Sequence, residues 1–79
     1  MTTKKVAIYS TKTCHYCQMA KELFKERGIK FDEFDVGADL VRRREMVDKS
    51  GQMGVPVITI GDDLIVGFDE ARINESLAA

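Results

Sequence analysis

The chain has 79 residues, of which 44% are hydrophobic and 32% are charged, and its formal net charge is −1 at pH 7. This length allows one domain, which we place at residues 1–79, and the composition is that of an ordinary globular protein. Because positive and negative residues are nearly equal in number, the charge gives no reason to expect a nucleic-acid or membrane partner. The apolar run after Lys5 is too short for a secretory signal or a membrane span, so we expect a cytoplasmic protein that starts near Met1.

Hydrophobic patterning predicts seven elements in the order β-α-β-α-β-β-α. In the first helix, Ala20 and Phe24 share an apolar face, and Lys21 and Lys25 lie off that face. Glycines at the ends of the helical patterns predict where both longer helices stop. The predicted elements are a strand at 6–9, a helix at 14–27, an edge strand at 31–36, a helix at about 39–49, strands at 57–60 and 64–66, and a helix capped by Asp69.

The order of these elements predicts an α/β fold. The first two strands are joined by a helix, so we expect them to be parallel, with a right-handed crossover. The last two strands are separated by Gly61-Asp62, which favours an antiparallel hairpin. The result is a four-stranded mixed sheet flanked by helices. Because a Cys-x-x-Cys sequence follows the first strand and opens the first helix, the arrangement is thioredoxin-like.

Cys14 and Cys17 are the two cysteines of the chain. A disulfide across so small a loop stabilises a fold by about 2 kcal/mol at most, so chemistry explains the pair better than stability does. Cys14 falls at a helix N-terminus, where the dipole and free N–H groups favour a thiolate, and Lys12 and His15 add a positive and a potentially positive group. We therefore expect Cys14 to be the nucleophile and Cys17 the resolving thiol of a redox-active disulfide.

A Cys-x-x-Cys pair can also bind a metal or form part of a core. A structural zinc site needs four ligands, and the single histidine, His15, lies inside the motif, so we predict no metal site within one chain. A metal or iron–sulfur cluster shared between two chains remains an alternative. Two buried structural cysteines are another.

The whole chain resembles the glutaredoxins, which are small members of the thioredoxin fold. It is most similar to short bacterial glutaredoxin-like proteins that read Gly-Val-Pro before the third strand and Gly-Phe-Asp after the fourth. The residues that carry the resemblance are Tyr9, Thr13–Cys17, Ser50–Gln52, Val55–Pro56 and Gly67–Asp69.

The resemblance implies a monomeric thiol–disulfide oxidoreductase of electron transport and cell redox homeostasis, without a bound cofactor. Its substrates would be disulfide-bearing proteins or glutathione mixed disulfides. Two alternatives stay open. One is an iron–sulfur carrier that uses Cys14 and glutathione, and the other is a redoxin dedicated to one partner enzyme.

The resemblance also implies a substrate site. It places a cis peptide bond between Val55 and Pro56, where the Val55 backbone would bind an extended peptide or glutathione by strand addition. Asp69, besides capping a helix, would lie where the γ-glutamyl end of glutathione binds. Further residues that the resemblance places in the substrate or glutathione site are Lys12, Tyr16 and Phe68.

Some positions depart from the family pattern. Thr11 and Gly54 stand where lysine and threonine are usual, and bulky Phe68 replaces a small residue and would narrow the glutathione pocket. Redoxins that serve ribonucleotide reductase also carry Gly-Phe there and take electrons from thioredoxin reductase. The expected electron source is therefore glutathione or a thioredoxin-reductase-type enzyme. His15 replaces a proline, and an imidazolium there would tune the thiolate and make the couple more oxidising.

Overall fold

The computed structural model describes residues 4–78. The predicted order of seven elements is confirmed, and the differences are confined to element ends. No helix within this range has the length and apolar character needed to cross a membrane. The elements are β1 (Val6–Ser10), α1 (His15–Glu26), β2 (Asp32–Asp35), α2 (Leu40–Ser50), β3 (Val57–Ile60), β4 (Asp63–Val66) and α3 (Glu70–Ala78).

The four strands form one mixed sheet in the order β2-β1-β3-β4. β1 pairs parallel with β2 and antiparallel with β3, and β4 returns antiparallel to β3, as the sequence predicted. Tyr9 near the end of β1 therefore pairs with Val57 at the start of β3, which in turn pairs with Val66 at the end of β4. The segments after β1, before β3 and after β4 therefore lie together at one end of the strands.

Two hydrophobic clusters lie on opposite faces of the sheet, because alternate residues of a strand point to opposite sides. Ile8 belongs to the cluster that packs α1 and α3 against the sheet, and Tyr9 belongs to the cluster that packs α2. All five residues of β1 are buried, which fits its central position. The first cluster consists of Val6, Ile8, Ala20, Phe24, Ile58, Ile60, Ile65 and Ile73, and the second of Tyr9, Val36, Met46 and Val57.

A polar network anchors α2 to the sheet. The Tyr9 hydroxyl donates a hydrogen bond to Glu45 Oε1 at 2.5 Å, and the Lys49 ammonium lies 3.3 Å from the Tyr9 oxygen. This hydrogen bond from Tyr9 holds the pKa of Glu45 below its usual value. Arg42 pairs with Glu45 at 2.9 Å and places its guanidinium 4.0 Å from the centre of the Phe34 ring. A cation over an aromatic face adds to the attachment of this helix.

Candidate active site

Cys14 occupies the N-cap of α1. β1 ends at Ser10, a short turn follows, and Cys14 has extended backbone angles (φ −86°, ψ 113°) before the helix begins at His15. Its sulfur accepts a hydrogen bond from the Cys17 N–H at 3.2 Å, in the place where a capping oxygen usually accepts one. The Cys17 N–H group and the positive end of the helix dipole therefore both face the Cys14 sulfur, and both favour negative charge on it.

Cys17 lies one turn into the helix and is fully buried, whereas Cys14 is half-buried, and both are free thiols. Burial is the largest cause that raises the pKa of Cys17, and the hydrogen bond with Cys14 is the second; the resulting pKa is about 12. Two effects oppose this rise: a hydrogen bond with the Thr11 backbone and the charge of Lys21. The two sulfurs are thus distinct, one accessible at the helix end and one held as a protonated thiol inside.

The segment before β3 approaches the accessible cysteine. The Val55–Pro56 peptide bond is cis, and the Val55 carbonyl oxygen lies 3.9 Å from Cys14 Sγ, which donates to it. The Gly67 N–H donates to the Pro56 carbonyl at 2.8 Å, which ties the end of β4 to the same segment. Gly67 has φ +85°, a left-handed conformation that glycine adopts without steric cost. The sheet topology therefore brings Val55 and Pro56 beside Cys14.

Asp69 and Phe68 continue from this segment into α3. The Asp69 carboxylate accepts a hydrogen bond from the Arg72 N–H at 3.2 Å, so Asp69 caps the helix as the sequence predicted. Phe68 is partly buried and packs against the cluster between the sheet and helices α1 and α3. Its ring is therefore engaged with the core. The roles of both residues in glutathione binding stay predictions.

The remaining predicted site residues are exposed. Tyr16 is 59% exposed. Its ring contacts the ring of His15, the residue that follows Cys14, edge-on with the ring centres 5.7 Å apart. Lys12 lines a small polar cleft between α1 and β2. Within residues 4–78, no three or more histidine, cysteine, aspartate or glutamate side chains are grouped so that they could hold a metal ion.

The sequence did not predict the position of one residue near the cysteines, Lys21. Lys21 was expected off the apolar face of α1, but only 11% of its side chain is exposed and its ammonium pairs with Glu33 of β2 at 3.4 Å. The prediction was wrong because helical periodicity cannot anticipate a partner from a neighbouring strand. Its position four residues after Cys17 was the available signal. Met53, two residues before Val55, is 59% exposed and adds an apolar surface to this segment.

This arrangement is suited to thiol–disulfide exchange. The accessible Cys14 sulfur can attack a disulfide, and the buried Cys17 sulfur is one helical turn away, within the first turn that Cys14 caps. Attack by a thiolate, followed by attack of a second thiol on the mixed disulfide, is the general course of such exchange.

The family model and the curated proteins that match this chain all point to the same family. A family model described as Glutaredoxin matches residues 6–65. An uncharacterized glutaredoxin-like 8.6 kDa protein in the rubredoxin operon of Clostridium pasteurianum is 44% identical over 70 residues, which cover 89% of this chain and 93% of that protein. Glutaredoxin 3 of Escherichia coli is 38% identical over 65 residues, which cover 82% of this chain and 78% of the relative.

A solved structure extends this similarity to the fold. NrdH-redoxin from Escherichia coli, described as a glutaredoxin-like protein with a thioredoxin-like activity profile, superposes with a TM-score of 0.77 at 27% sequence identity. The match covers 90% of this chain and 92% of that one. The four-stranded mixed sheet with three helices is accordingly the thioredoxin-like fold that the sequence predicted. The family model, the curated relatives and the fold agree, and the chain belongs to the glutaredoxin family.

Proposed function

We propose that this chain is a dithiol reductase of protein disulfides or glutathione mixed disulfides, acting as a monomer in the cytoplasm. Membership of the glutaredoxin family implies thiol–disulfide oxidoreductase activity in general. The observation that carries the proposal is that the two cysteine sulfurs differ in exposure and in hydrogen bonding. Cys14 is half-buried and accepts an N–H at the start of α1, and Cys17 is buried one turn later with a raised pKa.

The reaction has two exchange steps. The Cys14 thiolate attacks a substrate disulfide, forms a mixed disulfide and releases one substrate thiolate. Cys17 then loses its proton and attacks the Cys14 sulfur, which forms the Cys14–Cys17 bond and releases the second substrate thiolate. Two electrons pass from the dithiol to the substrate, and an external reductant returns them.

Substrate recognition would use the backbone beside Cys14. The Val55 carbonyl faces the Cys14 sulfur at 3.9 Å, so an extended substrate that meets this sulfur also meets the Val55 peptide groups. Backbone hydrogen bonds of this kind bind a strand with little dependence on its sequence. Two exposed side chains would add apolar contacts to the substrate. Tyr16 lies two residues after Cys14, and Met53 lies two residues before Val55.

The electron source is glutathione or a thioredoxin-reductase-type enzyme, and different observations support each. The 38% identity to glutaredoxin 3 supports glutathione, for which Asp69 and the start of α3 would bind the γ-glutamyl end. The similarity to NrdH-redoxin, whose activity profile is thioredoxin-like, supports the second source.

NADPH-coupled disulfide reduction, run in parallel with two regenerating systems, tests the proposal. One system contains glutathione and glutathione reductase, and the other contains thioredoxin reductase. Turnover only with glutathione identifies a glutathione-dependent enzyme whose pocket Phe68 leaves open. Turnover only with thioredoxin reductase identifies a thioredoxin-like donor. Absence of turnover in both systems contradicts the proposal.

We expect His15→Pro to make the couple more reducing. His15 is exposed at the first position of α1, directly after Cys14, so an imidazolium there favours the reduced, thiolate form. Proline is well tolerated at this helix position, so the substitution removes the imidazole without breaking the helix. The measurement is equilibration with glutathione redox buffers, where each tenfold change in the equilibrium constant corresponds to about 30 mV. An unchanged midpoint potential contradicts a tuning role for His15.

A further inference from the structure

Lys21 is a buried lysine beside the resolving cysteine. It lies four residues after Cys17 on α1, so both side chains are on the same side of the helix, and only 11% of the Lys21 side chain is exposed. Its ammonium forms an ion pair with Glu33 Oε1 at 3.4 Å, across the contact between α1 and β2. Lysine is rarely buried unless it is paired, since burial of a charge is costly.

A polar cleft of about 150 Å³ connects this lysine to solvent. The charged groups that face it come from α1, from the loop before α1 and from β2, whereas β1 contributes a neutral hydroxyl. The cleft is large enough for water, which needs polar partners of this kind. Its polar lining side chains include Ser10, Lys12, Gln18, Lys21, Glu33 and Asp35.

The charge of Lys21 acts on the Cys17 thiol. Burial and the hydrogen bond with Cys14 raise the Cys17 pKa, whereas the Lys21 charge and the Thr11 backbone lower it, and the resulting value is about 12. Glu33 does not cancel this effect. Its side chain is 47% exposed, so solvent screens its charge more strongly than it screens the 11% exposed lysine.

We propose that Lys21 is a positioning residue of the second exchange step, in which its ammonium, held by Glu33, stabilises the negative charge that develops on Cys17 Sγ. This inference rests on the proposed function. In that step the Cys17 thiol gives its proton to water, the Cys14–Cys17 bond forms, and the bond between Cys14 and the substrate breaks. The substrate leaves with the electron pair as a thiolate and takes up a proton from solvent.

Stopped-flow reaction of the reduced protein with one equivalent of Ellman's reagent separates the two steps. The attack of Cys14 releases one thionitrobenzoate at a rate that depends on concentration. The attack of Cys17 then releases the second at a rate that does not. The pH dependence of the second phase reports the deprotonation of Cys17 in the mixed disulfide.

Lys21→Met and Lys21→Gln remove the charge and keep most of the side-chain length. Loss of a nearby opposite charge raises a thiol pKa by roughly one unit, which lowers the thiolate fraction about tenfold at neutral pH. A more basic thiolate is also more nucleophilic, and this recovers about threefold. We therefore expect the second phase to slow about threefold and its pH profile to move about one unit upward, with the first phase unchanged.

Two further variants serve as controls. Lys21→Arg keeps the positive charge and restores the wild-type second phase. Lys25→Met removes an exposed lysine one turn further along α1 and changes neither phase. Equal pH profiles of the second phase in wild type and both uncharged variants overturn the inference, as does an equal effect of Lys25→Met. If the wild type releases no thionitrobenzoate, the proposed function itself is wrong.

Discussion

Cys14→Ser is expected to reduce disulfide exchange to the background rate. A serine hydroxyl does not attack disulfides at neutral pH, and the remaining thiol, that of Cys17, is fully buried with a pKa raised to about 12. The substitution leaves the fold in place, because serine also accepts the N–H of Cys17 at a helix N-cap. The measurement is NADPH-coupled turnover beside thermal unfolding. Turnover by a folded Cys14→Ser protein contradicts the assignment of Cys14 as nucleophile.

Cys17→Ser is the matched variant and is expected to stop the reaction after its first step. Without added thiol, one equivalent of substrate thiol is released per chain, and the substrate stays bound to Cys14 as a mixed disulfide. Mass spectrometry detects this adduct, and a reductant releases it. If the Cys17→Ser protein completes the cycle without added thiol and accumulates no adduct, Cys17 is not the resolving residue.

Local pattern predicted the elements that the structure contains. The β-branched run Val57–Ile60 forms β3 with the predicted bounds, and Asp39 caps α2 as expected, since its carboxylate accepts the Val41 and Arg42 N–H groups at 3.1 Å. Both features depend on neighbours in the chain, which the sequence displays. At β2 the predicted strand was longer than the observed one. Val36 lies beyond its end and is buried with Met46.

Contacts between distant segments were harder to predict. The hydrogen bond between Tyr9 and Glu45 joins residues 36 positions apart, and the ion pair of Lys21 depends on a strand that follows α1. Periodicity assigns a charged residue to the solvent side and contains no information on such partners.

In the candidate site too, features set by neighbouring residues could be predicted from the sequence, and contacts between distant segments could not. Cys14 and Cys17 follow from spacing and from their place at the start of a helix. The approach of Val55 to Cys14 arises because β1 and β3 are antiparallel and adjacent, and only the family resemblance indicated it. The binding roles of Lys12, Tyr16, Phe68 and Asp69 stay predictions, because they require a substrate to be present.

Phe24→Ala is expected to lower the free energy of unfolding by about 3–5 kcal/mol. Phe24 is fully buried in the cluster that packs α1 against the sheet, and its ring centre lies 5.4 Å from that of Phe31. A domain of this length has a total stability of roughly 4–12 kcal/mol, so the cavity removes a large part of it. Urea unfolding followed by circular dichroism measures the change. The exposed neighbour Lys25→Ala serves as control and is expected to stay within about 0.5 kcal/mol of the wild type.

The same variant separates stability from chemistry. Phe24 lies seven residues after Cys17, about two turns along α1, whereas the Cys14 sulfur contacts two backbone groups that do not touch Phe24, the Cys17 N–H and the Val55 carbonyl. The folded fraction of the Phe24→Ala protein should therefore react with Ellman's reagent at the wild-type rate per folded molecule. A loss of stability below about 1 kcal/mol would mean that the core closes around the cavity. A slower first phase in fully folded protein would instead mean that the packing of α1 sets the reactivity of Cys14. The claim that the Cys17 N–H and the helix N-terminus alone favour its thiolate would then be wrong.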